Sequence, residues 1–379
     1  MAVSFVVPFM SLFATEEVKM SLHTFGVFMT ANAVAQVAVG TWVSHRSDTV
    51  FSRRSVLLSG AAAGALGYVG YAFVREPWLL FVLGGFVIGL ASGTFSQLFA
   101  LARELLGRTD VPAGEVPLYM NVFRMAFALA WTVGPAIAAF TLKALSFEGL
   151  FLGAALLYGL LFVLVLFFVE EAPPSAQAGR RGSGPGMLSV LRQPGILFWF
   201  LALTLMLAAH SMSMSNMSLL VLHELHGSES EVGVIFSLAP VFELPFMLYV
   251  GMLATRLRTE TLMRAAMLLA SVYYLGLFCV RAPYQIYPLQ ALSAGVVSVT
   301  SGVAITFFQS KLPQKLGAAT NLYANASRIG STSSYLTFGL VASRFGHRGT
   351  ALACALLALS GLALSALAGS REAAARHLS

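Results

Sequence analysis

Charge is what this chain has least of. Only 10% of its 379 residues are Asp, Glu, Lys or Arg, against 58% hydrophobic. With a mean hydropathy of +0.80, that composition excludes a water-soluble domain of this size, in which about a quarter of residues are charged. Cysteine is nearly absent as well: Cys279 and Cys354 both fall inside apolar runs, which argues against a disulfide scaffold or a thiolate zinc site. His45, His223, His226 and His347 lack metal-ligand spacing. No Gly-rich phosphate loop, nucleophile elbow or His-Glu-x-x-His pattern occurs, which disfavours an ATP-driven pump and an intramembrane hydrolase. Neither metal nor cofactor is expected, and the chain does not read as an enzyme.

Long apolar runs are what it has in abundance. Runs near the roughly 20 residues that cross a bilayer begin at about Leu22, Ser55, Trp78, Leu118, Phe147, Ile196, Val232, Thr261, Tyr284, Ala318 and Thr350, and a shorter one covers residues 2–14. The reading is an all-α membrane protein of eleven full spans and a fragment. Most of the 23 Lys and Arg residues then fall on one side of the membrane, among them Arg46, Arg53, Arg54, Arg103, Arg108, Arg180, Arg181, Arg256 and Arg258. The positive-inside rule makes that side cytoplasmic and places both termini there. The net charge of +7 follows from topology, and no soluble module is present to bind nucleic acid.

Residues 171–194 are rich in Pro, Gly and Ala and read as a cytoplasmic linker between two halves, 1–170 and 195–379. The halves match weakly at an offset of 207, which places Gly26 on Gly233 and Gln36 on Glu243; near the fifth and eleventh spans the offset is 204, which places Asn121 and Arg124 on Asn325 and Arg328. Paired six-helix halves are a transporter plan. Helix 7 begins near Ile196, so by the same offset helix 1 should begin about a dozen residues before Met1, and its first half is expected to be missing; a short, tilted first helix is the alternative.

Three charges, Arg124, Glu243 and Arg328, lie inside the spans. Charges in hydrocarbon are costly and usually mark a pathway. Asn321, Asn325, Arg328, Thr332 and Tyr335 recur at helical spacing and form one polar stripe; Asn32 shares a face with Gln36, and Asn121 and Arg124 share one with Trp131. Amides beside an aromatic platform suit hydroxyl-rich ligands, although such a stripe can instead be interhelical glue. Glu243 sits between Pro240 and Pro245, where burial disfavours the charged carboxylate. It is the candidate proton-coupling residue.

The loop after the second span has Ser44, Asp48, Thr49, Phe51, Arg53 and Arg54. These positions resemble half of the major facilitator signature Gly-x-x-x-Asp-Arg/Lys-x-Gly-x-Arg/Lys-Arg/Lys, and Gly251 and Arg256 match at the repeat position. Asp48, Arg53, Arg54 and Arg256 are therefore expected to form a cytoplasmic gate, ordinary loop charges being the alternative. Trp131 with Gly134-Pro135 resembles the superfamily's antiporter signature. Further segments are similar to bacterial sugar efflux transporters: Thr30 to Ala33, Gln97 to Glu104, Leu129 to Pro135, Thr204 to Met206, Glu243 to Pro245, Phe308-Gln309 and Gly317 to Thr320. His210, Asn216 and Arg328 are departures peculiar to this chain.

The resemblance implies a major facilitator fold of two six-helix bundles in a bacterial inner membrane, acting as a monomeric, proton-linked sugar or glycoside exporter. Its expected sugar contacts are Asn32, Gln36, Gln97, Asn121, Arg124, Trp131, His210, Asn216, Asn321, Asn325 and Arg328. In that plan helix 5 neighbours helix 8, so Arg124 is expected to approach Glu243. Two other readings compete: a multidrug exporter, to which Met206, Met212, Met214 and Met217 would lend a cavity wall, and a non-transporting receptor, for which the short tail after the last span offers no signalling domain.

Overall fold

Polar side chains in apolar helices have few partners except each other and the backbone, and the computed structural model shows where many of them go. It describes residues 1–47, 52–106, 115–170, 190–193, 195–312 and 315–378. Asp48 and most of the expected linker lie outside these.

The described residues fold as helices throughout. α1 (2–17) is irregular, passing through a 3-10 turn at Val7–Phe9 and ending in a π turn at Phe13–Glu17. α2 is Leu22–Ser47 and α3 is Arg53–Phe73. α4 (77–106) is assembled from Pro77–Val82, a π turn at Leu83–Val87, a single α turn at Ile88–Ala91 and Thr94–Leu106. Val116–Phe168 is broken at Leu145 and Ser146 into α5 (116–144) and α6 (147–168). α7 is Ile196–Leu219 with a π extension at Leu220–Glu224, α8 is Glu229–Ala254 and α9 is Thr259–Cys279. α10 (283–311) contains Ile286–Gly302 and Ala304–Lys311. Leu316–Leu378 is broken at Gly346, φ 69°, into α11 (316–345) and α12 (347–378).

Eight of the described helices are long and apolar enough to cross a membrane, two of them the broken pairs, and Pro77–Ala91 is a shorter apolar helix. Large apolar side chains such as Phe140, Leu156, Phe167, Phe168 and Leu248 are more than 70% exposed. Lipid is the solvent in which that surface is stable. This is a multi-pass membrane protein.

The chain clusters into two compact units: Met1–Met20 with Phe28–Arg181, and Ser21–Val27 with Gly182–Ser379. In the first, Phe13 of α1 meets Phe151 edge-on at 4.6 Å, with Tyr71 and Phe147 completing the cluster. Arg75 seals the end of α3: its Nη1 donates to the carbonyls of Tyr71, Ala72 and Val74, while its Nε lies 3.5 Å from Glu17. Ser4 of α1 donates to the carbonyl of Ala130, and the missing side chain of Gly134 leaves room for it. In the antiporter-like segment, then, Gly134 serves the packing of α1 against α5.

In the second unit α7 packs against α11 and α12, and α8 against α10. The first turns of α2 belong here. A Cβ on Gly26 would lie 2.6 Å from the Tyr335 carbonyl, and one on Gly339 would lie 2.8 Å from that of Leu22. Only glycine permits two helix backbones to come this close. Gly339→Leu is expected to lower the thermal midpoint in detergent by several degrees and to prevent this crossing. Gly159→Ala, where nothing lies within 4 Å, is expected to leave the midpoint unchanged or slightly raised; fluorescence-detected size exclusion after heating reads both.

Candidate functional site

The sequence-predicted residues separate into those whose polar groups are used by the protein backbone and those left facing outward. Asn32 is 4% exposed, and its Oδ1 has no hydrogen-bond partner. It lies against Gly84 and Gly85, where a Cβ on either would come within 3.0 and 3.2 Å of that oxygen. One turn further along α2, Gln36 donates from Nε2 to the Gly84 carbonyl at 3.1 Å. Tyr71 donates to Leu80 O at 3.1 Å. Three polar side chains from α2 and α3 thus gather on the irregular stretch of α4. The π turn that draws them there was not legible in the sequence; the Gly84-Gly85 pair in an apolar run was its only trace.

On α11 the buried residues other than Gly330 and Gly339 are, among those described, Ala319, Leu322, Ala326, Ser334, Phe338 and Ala342. At 100° per residue they occupy one face, and Asn321, Asn325, Arg328, Thr332 and Tyr335 centre on the opposite one. Asn321 and Arg328 are exposed, and Asn325, Thr332 and Tyr335 half-buried. The stripe therefore points away from the core of its own unit, and it runs up to the crossing at Gly26 and Gly339 on the same face.

Glu243 is half-buried and shares the arc of buried Val232, Phe236, Pro240 and Val250. Ser298 of α10 donates to its backbone carbonyl at 3.4 Å. Among the described residues no cation pairs with its carboxylate. The side chains of Asn121 and Arg124 lie outside the described ones. Trp131 and His210 are half-buried, as is Gln97. Of the expected gate, Arg54 donates from Nη2 to Leu166 O at 2.8 Å, near the end of α6. Arg53 sits half-buried in the first turn of α3, and Arg256 is exposed beyond the end of α8.

Asn216 is buried and bonded within the fold. Its Nδ2 donates to the His347 carbonyl at 2.9 Å, and its Oδ1 lies 2.9 Å from His347 Nδ1. Because the Asn216 oxygen can only accept, His347 Nδ1 carries the proton. Glu224 completes the clamp: one carboxylate oxygen accepts from the backbone N–H groups of His347 and Arg348 at 2.8 and 3.1 Å, and the other lies 3.1 Å from Arg348 Nε. A carboxylate on the first N–H groups of a helix satisfies groups that have no helical partner and opposes the helix dipole. This fastens the α11–α12 turn, including the left-handed Gly346, to the end of α7. Asn216→Leu and Glu224→Gln are each expected to destabilise the protein by about 1 to 3 kcal/mol while changing ligand affinity less than twofold; thermal melting and equilibrium binding separate the two effects.

The methionines offered for a drug-binding wall are mostly core. Met206, Met212 and Met217 are 5% exposed or less.

Many apolar helices in two compact units, with charged and amide side chains left over inside the spans, define a polytopic membrane transporter. Residues 1–335 match the Major Facilitator Superfamily. A Deinococcus radiodurans protein whose name assigns it to sugar efflux is 35% identical over 369 residues, covering 95% of this chain and 92% of that one. Sugar efflux transporter A of Dickeya chrysanthemi is 31% identical over 354 residues, covering 93% and 88%. Among solved structures, an aspartate-to-alanine mutant of the nucleoside transporter NupG superposes with a TM-score of 0.79 at 12% identity, covering 98% of this chain and 96% of that one; at that identity the likeness is one of fold. The chain belongs to the sugar efflux transporter family of the Major Facilitator Superfamily.

Proposed function

We propose that this protein exports sugars or glycosides across a bacterial inner membrane by alternating access, driven by protons through Glu243. The observation that carries the reading is the α11 stripe. Asn321 and Arg328 present an amide and a guanidinium, both exposed, away from their own hydrophobic core, where interhelical glue would have been buried. Each unit has its own candidate sugar-facing set, Asn32, Gln97, Asn121, Arg124 and Trp131 in the first and His210, Asn321, Asn325 and Arg328 in the second. The names of the relatives support the substrate class. Buried methionines favour sugar over drug. We also propose that the two six-helix halves, 1–170 and 195–379, work as a monomer with both termini cytoplasmic, Asp48, Arg53, Arg54 and Arg256 forming the gate on that side.

Proteoliposomes preloaded with unlabelled glucose, lactose or methyl β-glucoside, and then given the matching tracer outside, are expected to show transient tracer accumulation with at least one of the three. Accumulation of none, together with protein-dependent ethidium transport, would establish the drug exporter instead.

Proton coupling has its own test. Glu243 is a half-buried carboxylate inside a span, and carboxylates so placed mark proton pathways. Glu243→Gln is therefore expected to keep sugar counterflow and to lose efflux driven by a pH gradient. Full gradient-driven efflux in that variant would remove Glu243 from the coupling role.

A further inference from the structure

We propose that Gln36 is a positioning residue, a latch that holds a movable turn of α4. In a regular α-helix the Ile88 N–H would bond to the Gly84 carbonyl four residues earlier. Here it bonds to Leu83 O, five residues back, so the Gly84 carbonyl loses its helical donor. Gln36 Nε2 takes that place at 3.1 Å. On the other side of Ile88–Ala91 the helix is broken again: residues 92 and 93 form a turn, and the Ser92 N–H is shared between the carbonyls of Ile88 and Gly89 at 3.1 and 3.2 Å. A single helical turn thus lies between two irregularities.

Moving the extra residue from the π turn to the break at 92–93 would restore the Ile88 to Gly84 bond, rotate Ile88–Ala91 by about 100° and advance it by about 1.5 Å. Gln36 would be set free in that step. The seam is lined mostly by small groups on the α4 side: Gly84 and Gly85 face Asn32 and Ala35, Gly89 faces Gln36 and Val39, and the Ser92 hydroxyl faces Gly40. The buried Asn32 oxygen, unpartnered in the present register, is a group that another register can satisfy. π turns inside helices recur at functional sites, and this one lies wholly within the first unit. The inference goes beyond the sugar reading and holds whatever molecule is carried.

Hydrogen–deuterium exchange of the purified full chain, without sugar, tests it. In Gln36→Leu, amides of residues 84–92 are expected to exchange about tenfold faster, the effect of losing one hydrogen bond to a buried carbonyl, while those of α3 keep their protection. Gln36→Glu distinguishes a latch from mere packing. Its protonated carboxyl can donate to Gly84 O and its carboxylate cannot, so protection should match the wild type at acid pH and fall to the Gln36→Leu level at alkaline pH, after correction for intrinsic exchange. Exchange within twofold of wild type in Gln36→Leu, or the same pH response in both variants, overturns the proposal. With whichever of the three sugars counterflows, Gln36→Leu should lower the rate about tenfold and shift half-saturation less than twofold. A raised half-saturation at unchanged rate would make Gln36 a sugar contact and would also overturn it.

Discussion

A backbone in hydrocarbon cannot leave its N–H and C=O groups to solvent, and the polar side chains of this protein are distributed by that constraint. At several helix ends and irregular turns a side chain supplies a partner to the backbone. Gln36 and Tyr71 serve the carbonyls around the α4 π turn, Arg75 the end of α3 and Arg54 that of α6. Arg264 donates to Ser365 O at 3.0 Å, and Glu224 holds the start of α12. The same logic separates structural from functional polarity. Asn216 is bonded to His347 within the fold, whereas Asn321 and Arg328 are exposed and, among the described residues, no cation pairs with the carboxylate of Glu243.

Close approach between helices rests on glycine rather than on polar contacts. Lipid offers apolar side chains nearly the same environment as a protein interior, so helix association depends on van der Waals contact between backbones. Gly26 with Gly339, and Gly330 against the Thr204 carbonyl at 2.7 Å from its would-be Cβ, are such contacts. A seam of this kind has little interdigitation to hold it in one register, which is how a membrane bundle can be stable and mobile together.

The two kinds of feature bear on transport differently. Groups capped by the backbone report where the fold is irregular, and irregular turns are where a helix can change shape at small cost. Ligands need groups that remain uncommitted. The α4 turn is a feature of the first kind, and the exposed Asn321 and Arg328 of the α11 stripe are of the second.

The sequence by itself determined the solvent, the class and most of the helix boundaries. Apolar runs of bilayer length are a one-dimensional property, and the runs beginning near Leu22, Ser55, Ile196 and Thr261 became α2, α3, α7 and α9 with shifts of only a few residues. The stripe on α11 was equally visible, because helical periodicity is written in spacing alone. Tertiary structure decided which polar residues the fold consumes. Nothing in the spacing of Asn216 shows that His347, 131 residues away, takes both ends of its amide, and nothing around Gln36 shows that a carbonyl 48 residues on would lack its donor. Those partners are chosen by how helices lie against one another, and a hydrogen bond is made by distance in space, which sequence spacing does not contain.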